Sequence, residues 1–311
     1  MVSSSLLKQF QRATQALLGL VAINVIFFIF APTYRATSNF QTIFSQATVL
    51  GVMAVGTTVV LLSAGLDLSV GSVLTFVAVS VGSMLNLQYP VWLIVFIALG
   101  IGAFWGTVNG LIIVATGVSP LIVTLGMMMV LRGFSELLGA GKDMSSFPRA
   151  FRALGSGYFI PVLIMAAAYL VVAFMLGKTR LGFNAYAIGG NQEVARLSGI
   201  RVNKCKVIYY AIGGLMAGLA AVLLTARLNF ANSTFGQGME MNSIAAVVIG
   251  GTSMSGGIGG VGRTIIGVLI MTCLASGLSH MGVGSSWQRV SIGIVIILAV
   301  WIDTAQRKRT L

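Results

Sequence analysis

Residues 65–72 read GLDLSVGS and lie within a tract from Ile43 to Leu85 whose only charged side chain is Asp67. A carboxylate, two serines and two glycines at that place in apolar sequence admit two readings. Either the octet turns one membrane helix into the next, with Asp67 or Ser69 capping the second, or it places a polar group in a path through the membrane.

The tract is typical of the chain. Of its 311 residues 57% are hydrophobic and 8% charged, against about 25% charged in a soluble domain. Such a composition cannot cover a water-facing surface, whereas runs of roughly 20 apolar residues cross a bilayer as helices. The 39 glycines suit close helix packing. Apolar runs and polar breaks predict about ten spans, near residues 14–31, 43–63, 70–87, 91–115, 119–138, 160–176, 207–226, 243–254, 264–281 and 288–303. The eighth, SIAAVVIGGTSM, is short and glycine-rich. It is predicted to be broken or shortened, which requires cover from protein or a cavity. The first has no A-x-A-like cleavage site after it and reads as an uncleaved span.

The net charge of +13 is spread in small groups between spans, a pattern that holds loops in the cytoplasm and does not suit nucleic acid. Lys8 and Arg12, six bases from Lys178 to Lys206, Arg263, and Arg307, Lys308 and Arg309 fall on one side, twelve of the 19 Lys and Arg residues. Both termini are therefore predicted inside. With that orientation the octet is a hairpin near the cytoplasmic face, where Gly65 can stop the preceding helix. Gly102, Gly106 and Gly110 recur every four residues, as do Gly214 and Gly218, and mark helix-packing faces. Arg132 and Glu136 are spaced to pair along one helix.

Catalytic chemistry is sparse. His280 is the only histidine, and Asp67, Glu136, Asp143, Glu193, Glu240 and Asp303 do not cluster. Cys205 and Cys273 imply neither a disulfide framework nor a metal site. The stretch GGTSMSGGIGGVGRT lacks the lysine of a phosphate-binding loop. No catalytic residue, metal or cofactor is predicted in this chain, which reads as a path and not an enzyme. A partner supplying energy would meet residues 181–210, within the longest basic segment. There NQEVARLSGI predicts a short helix capped by Asn191, with Glu193 in its first turn, Val194 and Leu197 on one face, and Gly199 at its end. That helix is either a docking peg or part of a loop that only sets topology.

Three stretches carry a resemblance: GLDLSVGS at 65–72, LGFNAYAIGGNQEVARLSGI at 181–200 and IAAVVIGGTSMSGG at 244–257. In order and spacing they resemble the permease subunits of ribose-type monosaccharide ATP-binding cassette (ABC) importers, over about residues 35–303. The resemblance implies an all-α, type II importer permease fold in the bacterial inner membrane, with residues 1–311 as one membrane domain. It implies a second permease copy or homologous permease, a periplasmic sugar-binding protein facing the 139–158 loop with Lys142, Arg149 and Arg152, and a two-P-loop cytoplasmic ATPase that holds ATP and Mg. Residues 178–206 become the coupling segment. Within it Asn191, Gln192, Glu193, Val194, Ala195, Arg196, Leu197, Ser198 and Gly199 form the helix seated in the ATPase. Glu193, Ala195 and Gly199 match the E-A-A---G pattern of importers, and Val194 departs from it. Gly65, Asp67, Ser69 and Gly71 mark a signature hairpin or translocation core. Asp67 and Ser69 favour the sugar branch over branched-chain amino-acid permeases, which carry an asparagine-containing stretch there. Nucleoside permeases and those for a sugar-like signalling molecule are close relatives. The rival class is an ion-coupled carrier or channel for a small polar solute.

Overall fold

A computed structural model describes residues 2–140, 142 and 144–308, without the side chains of 2–15, 299–300 and 302–308. Asp143 and Arg309, and the side chains of Lys8, Arg12, Asp303, Arg307 and Lys308, lie outside the described residues. The described chain is helical throughout: α1 (Val2–Phe30), a 3-10 turn (Pro32–Arg35), α2 (Thr37–Leu62), α3 (Val70–Asn86), α4 (Val91–Thr116), α5 (Pro120–Gly139), α6 (Arg149–Arg152) and α7 (Phe159–Lys178). Then follow α8 (Arg180–Gly190), α9 (Gln192–Leu197), α10 (Val202–Leu228), α11 (Met239–Ile249), α12 (Val261–His280) and α13 (Ser285–Lys308). Six of these, α2, α4, α5, α7, α10 and α12, are long and apolar enough to cross a membrane. Shorter apolar helices cover Ala16–Phe30, α3, α11 and Ser285–Leu298.

Local signals end these helices where they should end. Gly117, at φ +67°, takes the left-handed conformation after α4, and Pro120 opens α5 in the first turn, where its missing N–H is harmless. Asn229, at φ +59°, does the same after α10, and its Oδ1 accepts from Phe147 N at 2.9 Å.

Packing separates inner from outer helices. The apolar window of α2 is 89% buried, against 22% for α4 and α5. The outer helices expose large apolar side chains such as Phe96, Phe104, Leu170 and Phe174. A helix apolar on every side and exposed on one belongs in lipid. α10 packs on α2, α3 and α4. Its contact with α4 runs backbone to backbone: a Cβ on Gly102 would overlap the Gly214 carbonyl oxygen, and one on Gly218 would stand 2.6 Å from the Ala98 oxygen. Gly106 and Gly110 lie as close to Tyr210 and Val207, so all five glycines serve one interface. Hydroxyl pairs tie α2 to its other neighbours, Thr57 to Ser243 at 2.8 Å and Thr58 to Thr264 at 3.0 Å.

The predicted broken span is a half-length helix. After α10 the chain turns back into the bundle as residues 229–238, where the Phe235 carbonyl accepts from Thr75 Oγ1 and Gly236 packs on the Gly71 carbonyl. Thr75 lies eleven residues before the end of α3, about 16 Å of helix rise inside the bundle. α11 follows it as a helix of eleven residues.

Candidate functional site

The octet forms a buried polar node. α2 ends in a Schellman turn, with Ala64 N donating to Leu61 O at 2.9 Å and Gly65 N to Val60 O at 3.0 Å. The left-handed residue is Ala64, at φ +55°, and not Gly65 as the sequence suggested. Gly65 is required for space, since a Cβ there would meet the Tyr210 hydroxyl and Val60 Cγ1 at 3.0 Å. Asp67 Oδ1 accepts from Ser69 N at 2.8 Å and Ser69 Oγ at 2.6 Å. Ser69 occupies the N-cap position of α3, but its side chain makes no cap. Its hydroxyl instead accepts from Asn109 Nδ2 at 2.7 Å, joining α4 to the turn. Tyr210 of α10 donates its hydroxyl to Leu66 O at 3.0 Å.

This turn is enclosed by protein and is not exposed as a surface loop would be. Asn109 lies seven residues before the end of α4, about 10 Å of helix rise within the bundle, and Asp67 is 2% exposed. The physical reason is polar satisfaction: Ser69, Asn109 and Tyr210 supply the partners that let a polar turn be buried.

A second buried carboxylate stands against the same octet. Glu240, in the first turn of α11, is 5% exposed and accepts from Arg132 of α5 at 2.9 Å. Its Oε2 faces Gly71, whose missing Cβ leaves the room it occupies. The expected Arg132–Glu136 pair is therefore replaced by Arg132–Glu240. Glu136 is exposed and keeps its hydration, whereas a buried Glu240 needs the guanidinium.

The polar arm after α7 is built from local rules. Thr179 caps α8 by accepting from Gly182 N, and Asn191 caps α9 by accepting from Glu193 N and Val194 N, both at 3.0 Å. Gly199, at φ +83°, closes α9 with Ile200 N on Ala195 O at 3.1 Å. Arg196 donates to both Glu193 oxygens, at 3.0 and 2.5 Å, which holds the Glu193 carboxyl below its ordinary range. Lys206 donates to Gln192 at 2.6 Å. Ala195 is buried against the arm, while Val194 and Leu197 are 57% and 74% exposed. Ser198, also exposed, donates back to Val194 O at 2.9 Å.

The three stretches singled out in the sequence meet in space. A Cβ on Gly189 of α8 would overlap the Leu62 carbonyl at the end of α2 and the Gly257 backbone, and Gly257 N donates to Leu62 O at 3.0 Å. Gly256 packs on Ala64 N, one residue before the octet, and Tyr186 donates to Gly259 O at 3.1 Å. Displacement of α8 and α9 therefore bears directly on the octet and on the loop after α11. Sequence reasoning missed Tyr210 and the Arg132–Glu240 pair, because partners 108 residues apart leave no local pattern. Among the described residues no group of three His, Cys, Asp or Glu is placed to hold a metal.

An all-helical membrane bundle with a short exposed helix geared to its buried core defines a transport protein of the permease class. Residues 39–300 match the family described as branched-chain amino acid transport system / permease component, and the chain belongs to that family. It is 38% identical over 301 residues to the ribose import permease protein of Escherichia coli (strain K12), covering 94% of each chain. It is 39% identical over 292 residues to the ribose import permease protein of Bacillus subtilis (strain 168), covering 92% of this chain and 91% of the other. The galactose/methyl galactoside import permease protein of Haemophilus influenzae is 36% identical over 296 residues, covering 88% of each. No solved structure matches the chain.

Proposed function

We propose that this chain is the permease subunit of an ABC importer of the bacterial inner membrane, carrying a monosaccharide inward. The chain is one domain of ten spans with both termini in the cytoplasm. A periplasmic sugar-binding protein delivers the substrate, a second permease copy or a homologous permease completes the path, and a separate two-P-loop ATPase drives the cycle. The supporting observation is the contact chain from α9 through α8 to Leu62 and Gly257. The names of the relatives add the substrate class.

In this mechanism Val194 and Leu197 seat in the ATPase, and closure of its halves on ATP drags α9. Gly189 transmits the displacement to the end of α2 and to residues 256–257. The Asp67 turn and α11 then move together as a gate, because rigid packed elements switch between arrangements and do not deform continuously. The first test is mild-detergent purification from the native membrane followed by mass spectrometry. Recovery of a two-P-loop ATPase is the expected result. Recovery of the chain alone, under conditions that keep known complexes intact, would overturn the importer reading in favour of gradient-driven transport.

A further inference from the structure

At the corner between α7 and α8 an apolar outer face runs into a basic one. On α7 the stripe of Ala168, Val172 and Leu176 is buried. On the opposite side Leu170 and Phe174 are 71% and 66% exposed. Lys178 follows Phe174 by four residues, so it continues that outer stripe, and it is exposed in the last turn of the helix. α8 repeats the division. Gly182, Ala185 and Gly189 are buried, whereas Arg180 and Phe183, three residues apart, face outward, Phe183 at 70% exposure.

We propose that this corner docks on anionic phospholipid, with Lys178 and Arg180 on the headgroup phosphate and Phe183 at the acyl boundary. The bases have no competing partner: among the described residues neither Lys178 nor Arg180 makes a side-chain hydrogen bond or ion pair. The one acid between residues 144 and 239 is Glu193, and Arg196 holds both of its oxygens. A lysine one turn beyond a lipid-facing phenylalanine lays its alkyl stem along the hydrocarbon and carries its ammonium to the headgroups. Bases at that level are drawn to anionic lipid, and an aromatic beside them adds apolar burial.

This mixed chemistry selects the occupant. A soluble anion would match the two cations but leave Phe183 and the Phe174 stripe in water, whereas a phospholipid satisfies both. The exposed apolar residues of α9 lie at the far end of α8, which has eleven residues, about 16 Å of helix rise. The corner is also stiff. Thr179 Oγ1 donates to Met175 O at 2.6 Å and accepts from Gly182 N at 3.3 Å, and a Cβ on Gly182 would overlap the Leu176 backbone. Tyr209 of α10 donates to Leu181 O at 2.7 Å. A headgroup held at this corner therefore restrains the whole of α8, up to the contact of Gly189 with Leu62 and Gly257.

The inference needs the chain to lie in a membrane and does not depend on the importer reading, so the full chain is tested without partners. Native mass spectrometry of the protein released from nanodiscs of mixed phosphatidylglycerol and phosphatidylcholine reads which lipid it retains. Preferential retention of phosphatidylglycerol is expected, weakened about tenfold in the Lys178→Gln/Arg180→Gln variant. It should persist in Lys178→Arg/Arg180→Lys, which keeps the charge, and in Arg149→Gln, which lies outside the corner. Hydrogen exchange over residues 180–190 should be severalfold slower with phosphatidylglycerol than with phosphatidylcholine alone, in the parent and not in the charge-neutral variant. No lipid preference in the parent, or equal retention by the charge-neutral variant, overturns the proposal. Displacement of the lipid by soluble glycerol phosphate would overturn it in favour of a soluble anion. Loss of ATPase co-purification in the charge-neutral variant, with no lipid preference in the parent, would overturn it in favour of an ATPase contact.

Discussion

Gly71 and Glu240, 169 positions apart in the sequence, occupy one gap: the carboxylate of Glu240 fills the space that a Cβ on Gly71 would need. The Gly236 carbonyl closes the same gap, 2.6 Å from that Cβ position. Gly71→Ala should therefore push α11 from α3 and destabilise the protein by about 1–3 kcal/mol, as overpacking does in dense cores. Thermal unfolding in detergent by size-exclusion fluorescence measures it. A variant as stable as the parent would show that the gap is not shared.

Removing Arg132 should do more harm than removing both members of its pair. Arg132→Ala leaves the Glu240 carboxylate buried without its cation, at about 2–4 kcal/mol; the Arg132 side chain is 34% exposed, which moderates the loss. Arg132→Ala with Glu240→Gln should regain a large part of it. A double-mutant cycle on unfolding midpoints reads the coupling, and strict additivity would mean the pair is unimportant.

At Asp67 the two readings of the octet separate. Asp67→Asn keeps an oxygen for Ser69 N and Ser69 Oγ, so folding should change by about 1 kcal/mol or less, whereas Asp67→Ala should lose about 1–2 kcal/mol with the turn's acceptor. If Asp67 serves the turn alone, the Asn variant also transports sugar. Normal folding with abolished uptake would assign the charge to the path.

Coupling is tested at Gly199, where φ is +83° and open space surrounds the Cα. Gly199→Val strains the turn after α9 by about 1–2 kcal/mol without a steric clash. In reconstituted vesicles, ATP hydrolysis should persist while uptake falls severalfold. Equal losses of both activities would point to failed assembly.

The Glu193–Arg196 pair sets a pH limit on α9. Hydrogen bonds from Arg196 lower the folded Glu193 pKa, so the stabilisation is present above the unfolded value of about 4.3. It is lost as pH falls through the lower, folded value. Hydrogen exchange across residues 191–200, corrected for intrinsic rates, should stay constant from neutral pH down to about pH 5 and lose protection in stronger acid. Glu193→Gln should lower protection at neutral pH and abolish this acid step. An unchanged acid step in that variant would assign it to another group.

Much of this architecture is legible in the chain itself. The succession of apolar helices follows from apolar runs, although α1 and α10 begin earlier than the runs suggest because polar residues continue the helix, and the Asn191 cap and Gly199 stop follow from residue types within a few positions of each helix end. The short eighth span is visible in SIAAVVIGGTSM, and the glycine faces of α4 and α10 in their four-residue spacing. These signals are local: capping, turn conformation and the transfer of apolar side chains depend on neighbours along the chain.

Partner choice is another matter. The sequence by itself determined a polytopic helical membrane protein with a capped, exposed helix in a polar arm. Only the tertiary structure decided that Arg132 reaches Glu240 and not Glu136, and that Asp67 is buried and linked through Ser69 to Asn109. The reason is the solvent. Lipid tails are as apolar as the helix interfaces, so a span reads as apolar on every side and its pattern does not reveal which face meets which neighbour. That assignment comes from close packing and from the few polar groups that must find one another inside it.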